Sequence, residues 1–240
     1  MKSKDEVLKR SVCLLLFADR CALEDKIFDG IRRSLEERET QRKTIIKWLQ
    51  LKEYYIYLTV KEKRIIETPV IRVTNEEARL YHNDYECIEP LLWSLGLVDK
   101  LHNYDEFVLD NLHTPLKIGP KHTIEMLTEV CICRSTDMVE KKREIAMLWY
   151  WRCLECRNTS SKIINYKIAI RDIFGDEYIK ILENYEYFDT NRGDFVVKGK
   201  TVAELSDLEV AKLEVIAERR FYAFEWLCTD DDWDSIDLVC

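Results

Sequence analysis

The chain has 240 residues, of which 47% are hydrophobic and 34% charged, with six glycines and four prolines. That balance supplies a full core and excludes a disordered chain, and so few turn formers argue against a sandwich or barrel. The formal charge of −8 repels phosphate backbones, and no basic stripe is interleaved with aromatics, so nucleic-acid binding is disfavoured.

The charge is unevenly distributed. Residues 1–60 hold thirteen Lys and Arg against ten Asp and Glu, while 221–240 hold six acids and no base. The apolar run Val12–Ala18 is too short to span a membrane and is closed by Asp19 and Arg20. The start of the chain lacks the apolar stretch of a signal peptide, and the nine cysteines are odd in number. Together these features predict a cytoplasmic protein with reduced, mostly buried thiols.

Apolar residues at three- and four-residue steps predict a first helix over 4–24, with Lys9, Arg10, Asp19 and Arg20 off its stripe. A second is expected over 30–51, its charged middle suiting a solvated face. Thr59 with Glu62 and Thr74 with Glu77 have the spacing of capping boxes. They open a short helix ending before Pro69 and a longer one over 75–94, kinked or split near Pro90. Gly96 fits the left-handed position that ends such a helix.

Residues 102–122, with Pro115, Gly119 and Pro120, read as an irregular connection with one helical turn near 107–112. Helices over 123–133 and 136–157 follow, the latter capped by Ser135, then two over 160–184 broken at Gly175. Residues 194–202 read as extended, turning at Lys198-Gly199, within a short hairpin near 187–202. Ser206 with Glu209 opens a last helix to about Leu227, followed by an acidic tail over 229–240. The expectation is one all-α domain of about eight to ten helices. Residues 1–58 form its N-terminal helices and 59–240 its main body with the tail.

Three blocks carry a resemblance to a known family. They are Ile46-Lys47-Trp48-Leu49 running into Leu58-Thr59-Val60-Lys61-Glu62-Lys63; Leu91-Leu92-Trp93-Ser94-Leu95-Gly96-Leu97-Val98-Asp99; and Arg219 through Leu227 with Asp232-Trp233-Asp234. A looser fourth runs from Trp151 to Arg157. On these residues the chain resembles the family of domain of unknown function 4272, over about residues 40–240. The resemblance implies a helical domain with no assigned activity and no catalytic residues to transfer. It also implies that Trp93, Gly96, Trp226, Asp232 and Trp233 are architectural anchors.

No nucleophile–base constellation, P-loop or dinucleotide fingerprint is present, so neither an enzyme class nor a cofactor is indicated. Cys131, Cys133, Cys153 and Cys156 have the number of thiolates a tetrahedral zinc site needs, yet the Cys153–Cys156 pair falls in an apolar helix without a knuckle. The bland reading is packed core thiols. His102, His113 and His122 flank the irregular connection and read as solvated loop residues, and His82 stands apart.

Arg219 and Arg220 point about 100° apart on a helix, so at most one faces inward. The structural reading pairs an arginine with the acidic tail, Trp226 and Trp233 packing beneath. The functional reading is an anion pocket involving Arg219, Arg220, Asp99 and Trp151. The leading expectation is a non-enzymatic, immunity-type or accessory module that binds an unidentified protein, with no membrane contact. The alternative is a binder of an anionic small molecule, or an enzyme acting on one, through those arginines and nearby carboxylates. The sequence names neither partner, ligand nor oligomeric state.

Overall fold

The computed structural model describes residues 1–24, 33–108, 111–158 and 165–240. Helix α1 (Lys4–Ala22) starts at a Ser3–Glu6 capping box, in which each side chain bonds the other residue's amide. Nearly every residue from Val7 to Cys21 is buried, so the helix is covered on most of its faces. Helices α2 (Leu35–Leu51), α3 (Val60–Glu67), α4 (Asn75–His82), α5 (Tyr85–Ser94) and α6 (Ile124–Val130) all pack on it.

Arg10 and Arg20, expected off the stripe, are buried. Arg10 reaches Glu62 at 2.5 Å and Arg20 reaches Glu24 at 2.7 Å. The middle of α2 is likewise not fully solvated: Arg38 donates to the Leu23 carbonyl and Arg42 to those of Ile66 and Glu67. Ser34 and Glu37 close a capping box at the start of α2, inside the predicted helix, whose first residues fall partly outside the described ones.

The capping boxes at Thr59 and Ser206 form as predicted, and Thr74 caps α4 through the Glu77 amide. The split near Pro90 is displaced. The helices part at Asn83 and Asp84, and Pro90 stays inside α5. Tighter bonds from the Glu86 and Cys87 amides to the Asn83 and Asp84 carbonyls make the junction, so α4 and α5 abut as a stagger.

Gly96 ends α5 with φ +71°; its amide bonds the Trp93 carbonyl and the Leu97 amide bonds that of Leu92. These are the two bonds of a Schellman cap. A Cβ at Gly96 would stand 2.3 Å from the Ile132 carbonyl oxygen, so the cap doubles as a close crossing of two backbones.

Residues 102–122 carry no regular element among those described, and the predicted turn near 107–112 lies partly outside them. Helices α7 (Thr136–Asn158), α8 (Tyr166–Phe174) and α9 (Asp176–Leu182) follow, the last two separated by Gly175 at φ +110°. Strands β1 (Phe188–Asp189), β2 (Asp194–Val197) and β3 (Lys200–Thr201) form an antiparallel sheet in that order, with Phe188 opposite Phe195 and Val196 opposite Thr201. Lys198 and Gly199 both have positive φ, as the tight hairpin turn requires. Arg152, fully buried on α7, grips Asp194 of β2 with two bonds of 2.7 and 2.9 Å. Helix α10 (Asp207–Cys228) packs along α7 and α5.

The protein is therefore mostly helical, with ten α-helices among the described residues and one small sheet. Its buried apolar residues form one cluster from Val7 to Trp233. Gly96→Ala should destabilise the fold by about 2 kcal/mol or more, since it combines strain at positive φ with a backbone clash. Urea unfolding checks this, the midpoint falling with unchanged slope.

Candidate functional site

The predicted site residues separate into different environments. Arg220 is wholly buried on the face of α10 toward α5. Its Nη2 lies 3.1 Å from Glu86 and 3.5 Å from Glu89, and its Nη1 donates to the His102 carbonyl at 2.5 Å. Its guanidinium also stands 5.0 Å from the Tyr104 ring centroid. Arg219, one step round the helix, is partly buried and pairs with Asp84 at 3.1 Å.

Neither arginine holds the acidic tail, which corrects the structural reading of the sequence. The tail is fastened by aromatics instead. The Tyr222 hydroxyl donates to the Trp233 carbonyl, and the Trp233 ring stands edge-on to Trp226 at 5.3 Å. Arg10 covers Trp233 at 5.1 Å, and Lys2 Nζ donates to the Asp231 carbonyl at 2.8 Å. Asp232 is exposed and accepts from the Ser235 amide through its carbonyl.

Both carboxylates around Arg220 are further satisfied from the backbone. Glu86 accepts the Val108 amide at 2.6 Å, and Glu89 accepts the His102 amide at 3.0 Å while also bonding the His102 ring. Burial pushes Glu86 above the ordinary glutamate range, and Arg220 opposes it. The network therefore fixes the inner side of residues 102–108.

The outer side of that segment is one wall of a cleft of about 200 Å³. Trp93 at the end of α5, Lys142 and Ile145 on α7, and Tyr185 and Tyr187 ahead of β1 complete it. Tyr104 stacks on Trp149 at 5.0 Å, and the Trp149 indole donates to the Tyr185 hydroxyl at 3.0 Å. The Tyr187 hydroxyl donates to the Asn103 side-chain oxygen. Asp99 is exposed on the rim, and Arg220 lies behind the wall at the Tyr104 ring and His102 carbonyl.

Trp151 does not join them. It is buried against the edges of Tyr166 and Phe174, at 6.1 and 5.2 Å, and does not line the cleft. Lys142, by contrast, lines the cleft although it sits in the charged run Glu140–Glu144. A signal was present: Lys142, Ile145 and Trp149 follow the three- and four-residue steps of one helix face.

The histidines are not simply solvated. His122 is buried between the Leu116 carbonyl and the Tyr54 hydroxyl, and His113 pairs with Asp19 at 2.7 Å. Among the described residues no group of three or more His, Cys, Asp or Glu is placed to hold a metal, which gives the four-thiolate zinc alternative no support. Cys153 is sealed within α7, where burial drives its thiol far above the ordinary range. No described helix is long and apolar enough to cross a membrane.

Fold and site together define a helical protein built around an almost fully buried first helix, with a small aromatic cleft walled by an irregular segment. The chain belongs to the family described as Domain of unknown function (DUF4272), whose sequence model matches residues 1–170. The match takes in the blocks at 46–63 and 91–99, whereas the block at 219–234 lies beyond it. No curated protein and no solved structure matches the chain.

Arg220→Met should destabilise the protein by about 3–5 kcal/mol, because it strands Glu86 and Glu89 as buried charges. Chemical denaturation measures the loss, and adding Glu86→Gln with Glu89→Gln should restore part of it. Asp84 supplies a pH signature. Burial raises its carboxyl to about 6, with Arg219 pulling the other way. A folded value above the unfolded one, about 3.9, means that the folded state holds the proton more tightly. Asp84 therefore makes stability fall as pH rises from about 4 to about 6. Asp84→Asn should remove that component of the slope, read from unfolding midpoints across the window.

Proposed function

We propose that the chain is a non-enzymatic accessory module of the cytoplasm that works by binding another protein. The observation that carries this reading is an apolar ridge between α2 and α3. Leu51, Ile56 and Val60 are 71%, 68% and 85% exposed, and Tyr57 is 42% exposed. Four large apolar side chains facing water within ten residues lower their free energy by being covered.

The ridge divides two surface grooves of about 410 and 480 Å³, and Tyr57 and Lys9 line both. The first also contains Tyr54 and Ile124, the second Trp226 and Trp233. The ridge favours a partner segment that presents apolar side chains. Tyrosine and tryptophan at the groove edges are the residue types that anchor such contacts.

A second reading, an anionic ligand held by Arg219 and Arg220, has less support, because both guanidiniums are engaged by Asp84, Glu86 and Glu89.

The ridge reading is tested by placing a photo-crosslinking residue at Ile56, at Val60, or at Leu208, an isolated apolar residue 81% exposed. Positions 56 and 60 should trap one polypeptide in cells that position 208 does not. That polypeptide, purified, should lose about tenfold or more of its affinity for Ile56→Glu with Val60→Glu, at unchanged melting temperature. Equal trapping from position 208, or unchanged affinity, would count against the ridge. Trapping of the chain by itself would replace the separate partner with a second copy.

A further inference from the structure

Of the two lysines that line the aromatic cleft, Lys142 is half-buried and Lys100 exposed. Lys142 projects from α7 beside Trp93, with its Nζ 6.0 Å from that ring centroid. Among the described residues it makes no hydrogen bond and no ion pair. Several other polar groups of the cleft bond their neighbours. The Tyr185 hydroxyl takes the Trp149 indole, the Tyr187 hydroxyl and Asn103 bond each other, and His102 is bonded to Glu89. Burial weakens the hold of Lys142 on its proton, with Glu186 alone acting in the opposite sense against Lys141 and Arg220. A half-buried ammonium with no hydrogen-bonded anion is costly, and an incoming anion lowers that cost.

The remaining walls decide what kind of anion fits. Trp93, Tyr104, Tyr185 and Tyr187 present aromatic surface, and Ile145 adds an apolar patch. The volume of about 200 Å³ is enough for one small ring. Asp99 and Glu186 also line the cleft. Two carboxylates at the mouth repel a phosphate dianion far more than a singly charged group. The exposed Lys100 offsets part of their charge at the mouth, and the one half-buried ammonium, Lys142, matches a single negative charge.

We propose that this cleft binds a small aromatic monocarboxylate, its carboxylate on the Lys142 ammonium and its ring against Trp93 and the tyrosines. This site is separate from the ridge and does not depend on it. Arg220, which the sequence reading placed in the pocket, acts as a positioning residue. With Glu86 and Glu89 it holds the 102–104 wall in place through the His102 carbonyl and the Tyr104 ring.

The test is calorimetric titration of the full chain with benzoate, benzamide and inorganic phosphate, on wild type and Lys142→Met. Benzoate should bind saturably and at least about tenfold more tightly than the other two, and Lys142→Met should weaken it about tenfold or more. Benzamide binding as well as benzoate would remove the charge from recognition. Phosphate binding as well would make this a general anion site, and either result overturns the proposal. So would benzoate that does not saturate, or that binds Lys142→Met unchanged. If that variant does not fold, the wild type decides: benzoate should slow acylation of Lys142, read by peptide mass spectrometry. Equal labelling with and without benzoate overturns the proposal.

Discussion

A guanidinium cannot be taken out of water alone, and three that are fully buried dictate how this chain closes. Arg20, Arg152 and Arg220 each have no exposed surface. Stranding one without a counter-charge costs several kcal/mol, so each fixes a distant segment against its own helix. Arg220 fixes α5 and residues 102–108 against α10, Arg152 fixes β2 against α7, and Arg20 fixes the Thr68 carbonyl against α1. The pairing of Arg220 also joins the two parts of the chain that the family match divides. Glu86 and Glu89 lie within the matched residues 1–170, and Arg220 lies beyond them. Helix α10 is thus part of the core of the matched region, which it covers along both α5 and α7.

The same three arginines mark where sequence reasoning stops. Features decided by neighbours in the chain were legible: the capping boxes at Thr59 and Ser206, the left-handed Gly96, the break at Gly175 and the turn at Lys198-Gly199. Each depends on a few consecutive residues whose backbone preferences are local. Periodicity assigns an arginine to the wet face because an isolated guanidinium belongs in water. Burying Arg220 is permitted by acids more than a hundred residues away, and nothing local reports them. Pro90 shows the complementary limit. It stays inside α5, and the helices part upstream of it at Asn83 and Asp84.

The cleft was partly legible for the same reason. Asp99 could be placed near the end of a helix by the block around Gly96, and it does line the rim. Trp151 shared a helix with Lys142 but not a face, and faces can be read only when the helix's neighbours are known. Lys142 was hidden by its surroundings in sequence, a run of charges that describes most of its helical turn correctly. The tyrosines at 185 and 187 come from an irregular stretch ahead of the sheet, which no periodicity describes.

Irregular segments have a further role that follows from hydrogen-bond accounting. Inside a helix every amide is spent on the carbonyl four residues back, so helices offer buried carboxylates no spare donors. The donors come from the connections. Glu86 and Glu89 receive the Val108 and His102 amides, Glu24 receives that of Ile71, Glu39 that of Val70, and Asp194 that of Ala203. The buried arginines are served in turn by connection carbonyls at Thr68 and His102. Loop backbone thus replaces water around these buried ion pairs. This also accounts for Ile71, a β-branched residue held at φ +72° although its side chain is largely exposed. Its side chain gains little from that conformation. Its amide solvates Glu24, which neutralises Arg20, and the strain is local while the charge it helps to satisfy lies in the core.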